Sequence, residues 1–554
     1  MISLKKKLIL FLTIGLIILA IPSFSLAFWP QTTSFFIESD YDLSGRNKIE
    51  TNLIKTTTNL YFYADKVWFD NLSLADKQII DNKIYSLATS FEYKTLPILH
   101  NTLGFEENPG IDNDSQIVIV LHQMKPSFGG YIKADDGVSK NIFSRSNQGQ
   151  IIYLNADNIL NLDLLLLDYH LAHEFSHLIT LNLKPNANTW FYELISEFAG
   201  QVVGIDTTQI IKQRAQNLLF STEVNLENWT NSDKDYGKVY LFALYLKEQF
   251  GNQLFTEALK YPSSDGFISL NQALKKINPS LSFDEVFLNW LITNLYNTCE
   301  SNNLKYCYQD PALKNYSITA YSYYLPMQAK SLLSVTDSLK TLTGKWQKLN
   351  GGLGTVKFKF TIPEQTPIAK IPYIIEDSQG KKTLGFFDFS FSNIQEIYVS
   401  NLGTKNTAFY FIPYLGTQSQ EEKLYFYSFE VQNLGNDAQS DEVVIKKLQQ
   451  QIEELKRQLA QLQMQIAYQK TNQADQSCSF VFSQDLYYGM ISSQIKCLQQ
   501  FLTNLGSSIY PEKLVTGYYG PLTMAAVKRY QALKGIITTG YFGSLTRAAV
   551  SKEL

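Results

Sequence analysis

Histidine is scarce in this chain, five residues in 554, and none follows His177. Imidazole chemistry is therefore confined to the first third, and no later histidine can serve as partner to a site built there. An excess of one charge is also missing: 48 basic and 51 acidic residues leave a net charge of −3, which argues against a dedicated nucleic-acid binder. The N-terminal apolar run, Leu8 to Ala20, falls short of the ~20 residues a membrane span needs. Preceded by Lys5-Lys-Lys7 and followed by Ser25-Leu-Ala27, it reads as a signal peptide over residues 1–27, with an uncleaved N-terminal membrane anchor as the alternative. The four cysteines fall in two local pairs, Cys299 with Cys307 and Cys478 with Cys497. Two disulfides in an oxidising compartment would suit them, although three pairings are formally open. No calcium loop is complete either. Asp40-Tyr-Asp42 and Asp112-Asn-Asp114 are acidic turns, but Thr51 stands where an EF-hand needs its final Glu, so Asx-turns are expected.

What is present is one complete H-E-x-x-H, in Leu171-Ala-His-Glu-Phe-Ser-His-Leu-Ile-Thr180. On a helix, residues four apart share a face, so His173 and His177 can hold one zinc ion while Glu174 takes a proton from its water. A catalytic zinc takes three protein ligands and leaves a fourth position open. Trp190-Phe-Tyr-Glu-Leu-Ile-Ser-Glu-Phe-Ala199 offers Glu193 and Glu197 one turn apart on a following helix. A metzincin pattern is excluded, because Thr180 and Leu183 stand where that family has glycine and a third histidine.

The turn-spaced acids after H-E-x-x-H resemble those of the gluzincins, the thermolysin-like clan. The resemblance implies Glu193 as the third ligand and Glu197 as the acid that supports the first histidine from behind. Glu197, 20 residues after His177, is nearer the thermolysin spacing than Glu193, 16 after it; the local motif favours Glu193. Further stretches widen the likeness: Phe36-Ile-Glu-Ser-Asp-Tyr-Asp42, Pro109-Gly-Ile-Asp-Asn-Asp114 and Tyr153-Leu-Asn-Ala156. With the zinc motif they resemble the hyicolysin-type bacterial metallopeptidases over roughly residues 35 to 330, although Tyr192-Glu-Leu194 departs from the Asn-Glu-Gly or Asn-Glu-Met usual there. Asp233-x-x-Tyr236-Gly237 partly resembles the aspzincin pattern, which makes Asp233 an alternative ligand. By similarity to gluzincin aminopeptidases, Tyr236 is the candidate for stabilising the oxyanion.

Ahead of the zinc motif the chain reads as mixed α/β, with strands at Gln116–Leu121 and Gly149–Leu154. Zinc proteases bind extended substrates along a sheet edge, and Phe128-Gly-Gly-Tyr-Ile132 is the candidate edge. Residues 206 to 297 read as all helical. From about 331 to 436, runs such as Val356-Lys-Phe-Lys-Phe-Thr-Ile362 alternate at the spacing of a β-sandwich. Ile445, Leu448, Ile452, Leu455, Leu459, Leu462 and Ile466 form a heptad seam, either a short coiled coil pairing two chains or one amphipathic helix. Finally, Thr516-Gly-Tyr-Tyr-Gly-Pro-Leu-Thr523 recurs as Thr539-Gly-Tyr-Phe-Gly-Ser-Leu-Thr546, each a turn followed by an N-capping threonine and a helix. With Cys497-Leu-Gln-Gln-Phe-Leu502 this closely resembles the small three-helix peptidoglycan-binding domain, with Tyr518, Tyr519, Tyr541 and Phe542 either lining a groove or forming its core.

The expected organisation is a signal peptide (1–27), an α+β zincin-like metallopeptidase domain (28–330), an all-β sandwich (331–440), a coiled coil (441–470) and a three-helix domain (477–554). The expected function is an exported zinc metallopeptidase at the cell wall or cell surface, with protein or peptide substrates, peptidoglycan as partner and a homodimer through 445–466. The rivals are a non-catalytic wall-bound scaffold and a hydrolase of peptidoglycan peptides.

Overall fold

The computed structural model describes residues 29–126, 128–205, 208–299, 304–326, 330–364, 366–416, 424–435, a few residues between 449 and 459, Cys478 and 481–553. The signal-peptide reading and nearly all of the heptad seam lie outside the described residues. Two compact units result, Met1–Ala187 with Ala199–Ile205, and Asn188–Phe198 with Asp206–Leu554.

The first unit is built on a six-stranded sheet in the order β1-β2-β3-β4-β6-β5. Its strands are β1 (Thr32–Phe36), β2 (Lys48–Thr56), β3 (Leu60–Asp65), β4 (Ile117–His122), β5 (Gly130–Ile132) and β6 (Ile151–Asn155). Strands β3, β4 and β6 run parallel and are buried at every residue, as a parallel sheet covered on both faces requires. Helices α1 (Lys66–Asp70), α2 (Leu74–Ser90) and α3 (Leu96–Thr102) make the crossover from β3 to β4, with a π-helical turn, Phe91–Thr95, between the last two. After β6 come α4 (Ala156–Asn161) and α5 (Leu164–Leu183), the helix that carries H-E-x-x-H. The acidic turns are Asx-turns: Asp42 Oδ1 accepts the N–H groups of Ser44 and Arg46, both at 3.0 Å, and Asp112 Oδ1 accepts that of Asp114 at 3.2 Å.

Helix α6 (Thr189–Val203) carries the two acids. Beyond it lie α7 (Thr208–Leu219), β7 (Glu223–Asn225), α8 (Asp233–Phe250), α9 (Gln253–Lys260), α10 (Gly266–Ile277) and α11 (Phe283–Tyr296). Strand β7 corrects the expectation of an all-helical stretch. Three residues are too few to show an alternating pattern, and the strand exists because it pairs with residues 343–345 far along the chain. Helix α8 starts at a capping box: the Asp235 carboxylate accepts the Ser232 N–H at 3.1 Å while Ser232 caps the other end of the same turn. Buried Trp290 and Trp346 each donate their indole N–H, to Tyr308 Oη and Leu291 O, both at 2.9 Å.

The β region contains β8 (Tyr321–Leu325), β9 (Leu332–Leu339), β10 (Thr343–Lys345), β11 (Gln347–Gly351), β12 (Gly354–Thr361), β13 (Lys370–Asp377), β14 (Lys382–Asp388), β15 (Ile394–Leu402), β16 (Asn406–Phe411), β17 (Tyr414–Leu415) and β18 (Tyr425–Gly435). Strands β15 and β16 are joined by a single pair, Leu402 with Asn406, so the hydrogen-bonded sheet bends there into two layers. Phe358 of β12 meets Phe387 of β14 at 5.6 Å and Phe409 of β16 at 5.0 Å between ring centroids. Strands β12 and β14 stand four places apart in the order, so the layers must face each other across these rings. The β structure starts at Tyr321, because β8 pairs with β11 in parallel. Disulfides join Cys299 to Cys307 and Cys478 to Cys497. The last segment holds α12 (Ser493–Asn504), α13 (Pro521–Leu533) and α14 (Ser544–Ser551) around a common apolar core. Among the described residues no helix is long and apolar enough to cross a membrane.

Candidate metal centre

Helix α5 is started by Asp163, whose carboxylate accepts the Leu166 N–H at 2.9 Å. Its second half is buried from Leu171 to Ser176. Phe175 packs edge-on against Phe91 of the π-helical turn at 5.0 Å. The hydroxyls of Ser176 and Thr180 donate back to the carbonyls of His173 and Ser176, both at 2.7 Å, so these buried polar groups are satisfied within the helix.

The i,i+4 spacing brings the rings of His173 and His177 to 5.0 Å between centroids, at 80° to each other. The donor atoms of His173, His177 and Glu193 all lie within 4.8 Å of one another. His173 is buried, and His177 and Glu193 are partly accessible. Two imidazoles and a carboxylate are a donor set that suits zinc. Asp233, the alternative ligand, is exposed in the first turn of α8 and is not among the clustered donors.

Glu174 is 6% exposed. It faces strand β5: a Cβ built on Gly130 would stand 3.0 Å from Glu174 Cγ. One built on Gly129 would stand 2.5 Å from the His170 ring. The two glycines thus allow the sheet edge to lie directly against the H-E-x-x-H helix. Strand β5 pairs antiparallel with β6 and is the last strand of its sheet.

Glu197 is fully buried and accepts a hydrogen bond from Arg214 Nη2 of α7 at 2.6 Å. The same guanidinium lies over the Tyr236 ring, 5.3 Å from its centroid. Tyr236 Oη donates to Asn231 Oδ1 at 2.8 Å, and its ring meets Trp229 edge-on at 5.3 Å. Gly237 beside it permits close packing of α7 on α8, since a Cβ there would come within 2.7 Å of the Arg214 carbonyl oxygen. Arg214 was missed by sequence reasoning. It stands 17 residues from Glu197 in a different helix, and no local spacing marks it.

The C-terminal domain decides one open alternative and corrects one expectation. Tyr518, Tyr519 and Phe542 are 4%, 0% and 0% exposed and belong to the core rather than to a groove; only Tyr541 of the four is well exposed, at 43%. The helices start at Pro521 and Ser544 behind Gly520 and Gly543, so Thr523 and Thr546 are not caps. Their hydroxyls instead accept from the side-chain amides of Gln499 and Gln531, at 2.8 and 3.0 Å.

Residues 492–550 match the family described as "peptidoglycan binding domain". No curated protein matches the chain in sequence. Among solved structures, Aeromonas hydrophila PliG, a periplasmic lysozyme inhibitor of g-type lysozyme, overlaps 20% of this chain and 96% of its own, at 8% identity and a TM-score of 0.15. A family GH115 4-O-methyl-alpha-glucuronidase with specificity for decorated arabinogalactans overlaps 57% of this chain and 51% of its own, at 9% identity and a TM-score of 0.12. Overlaps this weak carry no argument about fold or function. The chain is thus a multi-domain α/β protein that carries a peptidoglycan-binding domain at its C-terminal end.

Proposed function

We propose that this chain is an exported zinc-dependent metallopeptidase held at the cell wall by its C-terminal domain. The observation that carries the reading is the convergence of His173, His177 and Glu193 within 4.8 Å, with Glu174 on the same helix. A bound zinc would polarise the scissile carbonyl and acidify the attacking water. The rest of the work falls to side chains and backbone of this chain. Glu174 accepts the proton from water and passes it to the leaving amine. Strand β5 offers its outer edge to an extended peptide, backbone to backbone, and Gly129 and Gly130 keep that edge close to Glu174. Glu197, buried, orients the first histidine from behind and is itself fixed by Arg214. Tyr236, under the same guanidinium, stabilises the oxyanion.

The match at 492–550 favours a second reading of the same site, in which the substrate is the peptide of peptidoglycan rather than protein. Hydrolysis of casein and of purified peptidoglycan, each measured after chelation and after return of zinc, tests both. Activity lost to the chelator and restored by zinc is expected, and the better substrate decides between the readings. Hydrolysis indifferent to chelation would overturn the proposal.

A further inference from the structure

With most of the repeat's aromatics buried in the C-terminal domain, three tyrosines remain exposed close together in sequence or space: Tyr487, Tyr488 and Tyr541. Leu486 and Phe542 form an antiparallel bridge, each N–H donating to the other's carbonyl at 3.1 and 2.9 Å, and both side chains are fully buried. Side chains alternate across such a pairing, so the neighbours Tyr487 and Tyr541 face outward together. Their rings stack at 5.9 Å between centroids and 17° between planes, with 49% and 43% of each residue exposed. Tyr541 is fixed at its far end as well, because its hydroxyl donates to Asp485 Oδ2 at 2.6 Å. Asp485 is in turn paired with Arg547. Tyr488, the next residue, is 51% exposed.

From this geometry we infer that Tyr487 and Tyr541, flanked by Tyr488 and the Asp485–Arg547 pair, form the glycan-binding face of the domain and take the amino-sugar strand of peptidoglycan. The inference deepens the wall-binding reading and rests on it. Flat, amphipathic rings suit the C–H face of a pyranose, while the ion pair at the rim can hydrogen-bond its substituents. The platform is already ordered: backbone pairing and the Tyr541 hydroxyl hold it, so little side-chain entropy is lost on binding. Stacked rings rather than charge are what this face offers: Arg547, which touches Asp485, is neutralised by it.

The test uses the full chain and purified peptidoglycan sacculi in a pelleting assay, with a chitin-type N-acetylglucosamine tetramer and a synthetic stem pentapeptide as competitors. Tyr487→Ala and Tyr541→Ala should each weaken pelleting about fivefold to tenfold, the loss of one stacking ring. Tyr487→Phe should pellet as the parent does, and the sugar rather than the peptide should release the parent. Unchanged thermal unfolding of the alanine variants separates loss of the ring from loss of the domain. Should one of them unfold early, Tyr487→Ser and Tyr488→Ala repeat the measurement without disturbing the Asp485 contact. A parent that pellets while all these variants pellet equally, or that only the pentapeptide releases, overturns the glycan face and leaves wall binding standing. A parent that does not pellet at all overturns both.

Discussion

Gly130 and Glu174 are packed so closely that one methyl group on the glycine would come within 3.0 Å of Glu174 Cγ and 2.8 Å of the Tyr153 carbonyl oxygen. The edge strand and the proposed general base are therefore positioned by one contact. Gly130→Ala should force them apart by a few tenths of an ångström or more and lower peptide hydrolysis by roughly 10²-fold, the scale of an ångström-sized misplacement. Metal content should not change, since the three atoms nearest the added methyl belong to Tyr153, Glu174 and Leu154 and none is a proposed metal donor. Zinc analysis beside a peptidase assay checks this, and full activity in the variant would remove β5 from the substrate site.

Glu174→Gln separates proton transfer from metal binding. The side chain is nearly isosteric and is not among the clustered donors. Zinc content should match the parent while hydrolysis falls by about 10² to 10⁴, the contribution of general base catalysis.

The two acids of α6 should part company. Glu193→Ala removes one of three clustered donors and should abolish stoichiometric zinc. Glu197→Ala should weaken zinc only about 10- to 100-fold, as the loss of a group that orients a ligand does. Because Arg214 holds Glu197, Arg214→Ala should weaken zinc in the same range without altering any donor. Metal titration of the three variants checks the order, and tighter binding in Glu193→Ala than in Glu197→Ala would reverse the roles.

The parts of this site that the sequence shows are those whose geometry is local. His173 and His177 share a face because of helical spacing alone, and Gly129 and Gly130 mark a close approach because glycine has few other uses in a strand. Arg214 is invisible, since what defines it is the packing of α7 on α8 at Gly237, a contact between helices with no shared spacing. The repeated Thr-Gly-Tyr-Tyr/Phe-Gly turns were ambiguous for a related reason. Two adjacent aromatics on a strand point opposite ways, and only the pairing of Leu486 with Phe542 decides that Tyr541 faces out. Strand β8 lies ahead of the expected start of the β region at 331 and is defined by its pairing with β11, while β10 and β11, inside that region, carry no signal of their own because Gly344-Lys-Trp-Gln-Lys-Leu-Asn-Gly351 lacks the alternation of Val356–Ile362.

Stability should depend on pH through Glu248, which is half-buried on α8. Burial pushes its carboxyl up to about 7, against the N–H groups of Gln309 and Asp310 that donate to it, both at 2.9 Å. A carboxyl whose folded pKa exceeds its unfolded value of 4.5 binds more proton when folded. Stability therefore falls as pH rises from about 4.5 to 7 and levels off above that. The effect should be on the order of 1 kcal/mol, discounted because Glu248 still meets water. Denaturant unfolding at the two ends of this window should show a smaller difference in Glu248→Gln than in the parent.

Gln499 and Gln531 predict how the wall-binding domain fails. Gln499 Oε1 accepts the N–H groups of Thr516 and Gly517 at 2.6 and 2.7 Å, while its amide donates to the Tyr518 carbonyl at 2.8 Å. Gln531 repeats the device in the second turn, accepting from Gly540 and donating to the Tyr541 carbonyl, both at 2.8 Å. Both side chains are 1% exposed, so truncating either strands buried backbone groups at about 1 to 3 kcal/mol for each one left unsatisfied. Gln499→Ala takes the acceptor from two N–H groups, since the Tyr518 carbonyl keeps the Gly520 N–H at 3.0 Å, and Gln531→Ala takes the partners of the Gly540 N–H and the Tyr541 carbonyl, so the two should destabilise the domain by similar amounts. Wall binding should nonetheless differ among molecules still folded. Gln531 holds the backbone of Tyr541, an outward ring, whereas Gln499 holds that of Tyr518, a core ring. Below the melting temperature of both variants, Gln531→Ala should therefore pellet more weakly with sacculi than Gln499→Ala. Pelleting that simply follows stability would show that the second turn does nothing more for the wall contact than the first.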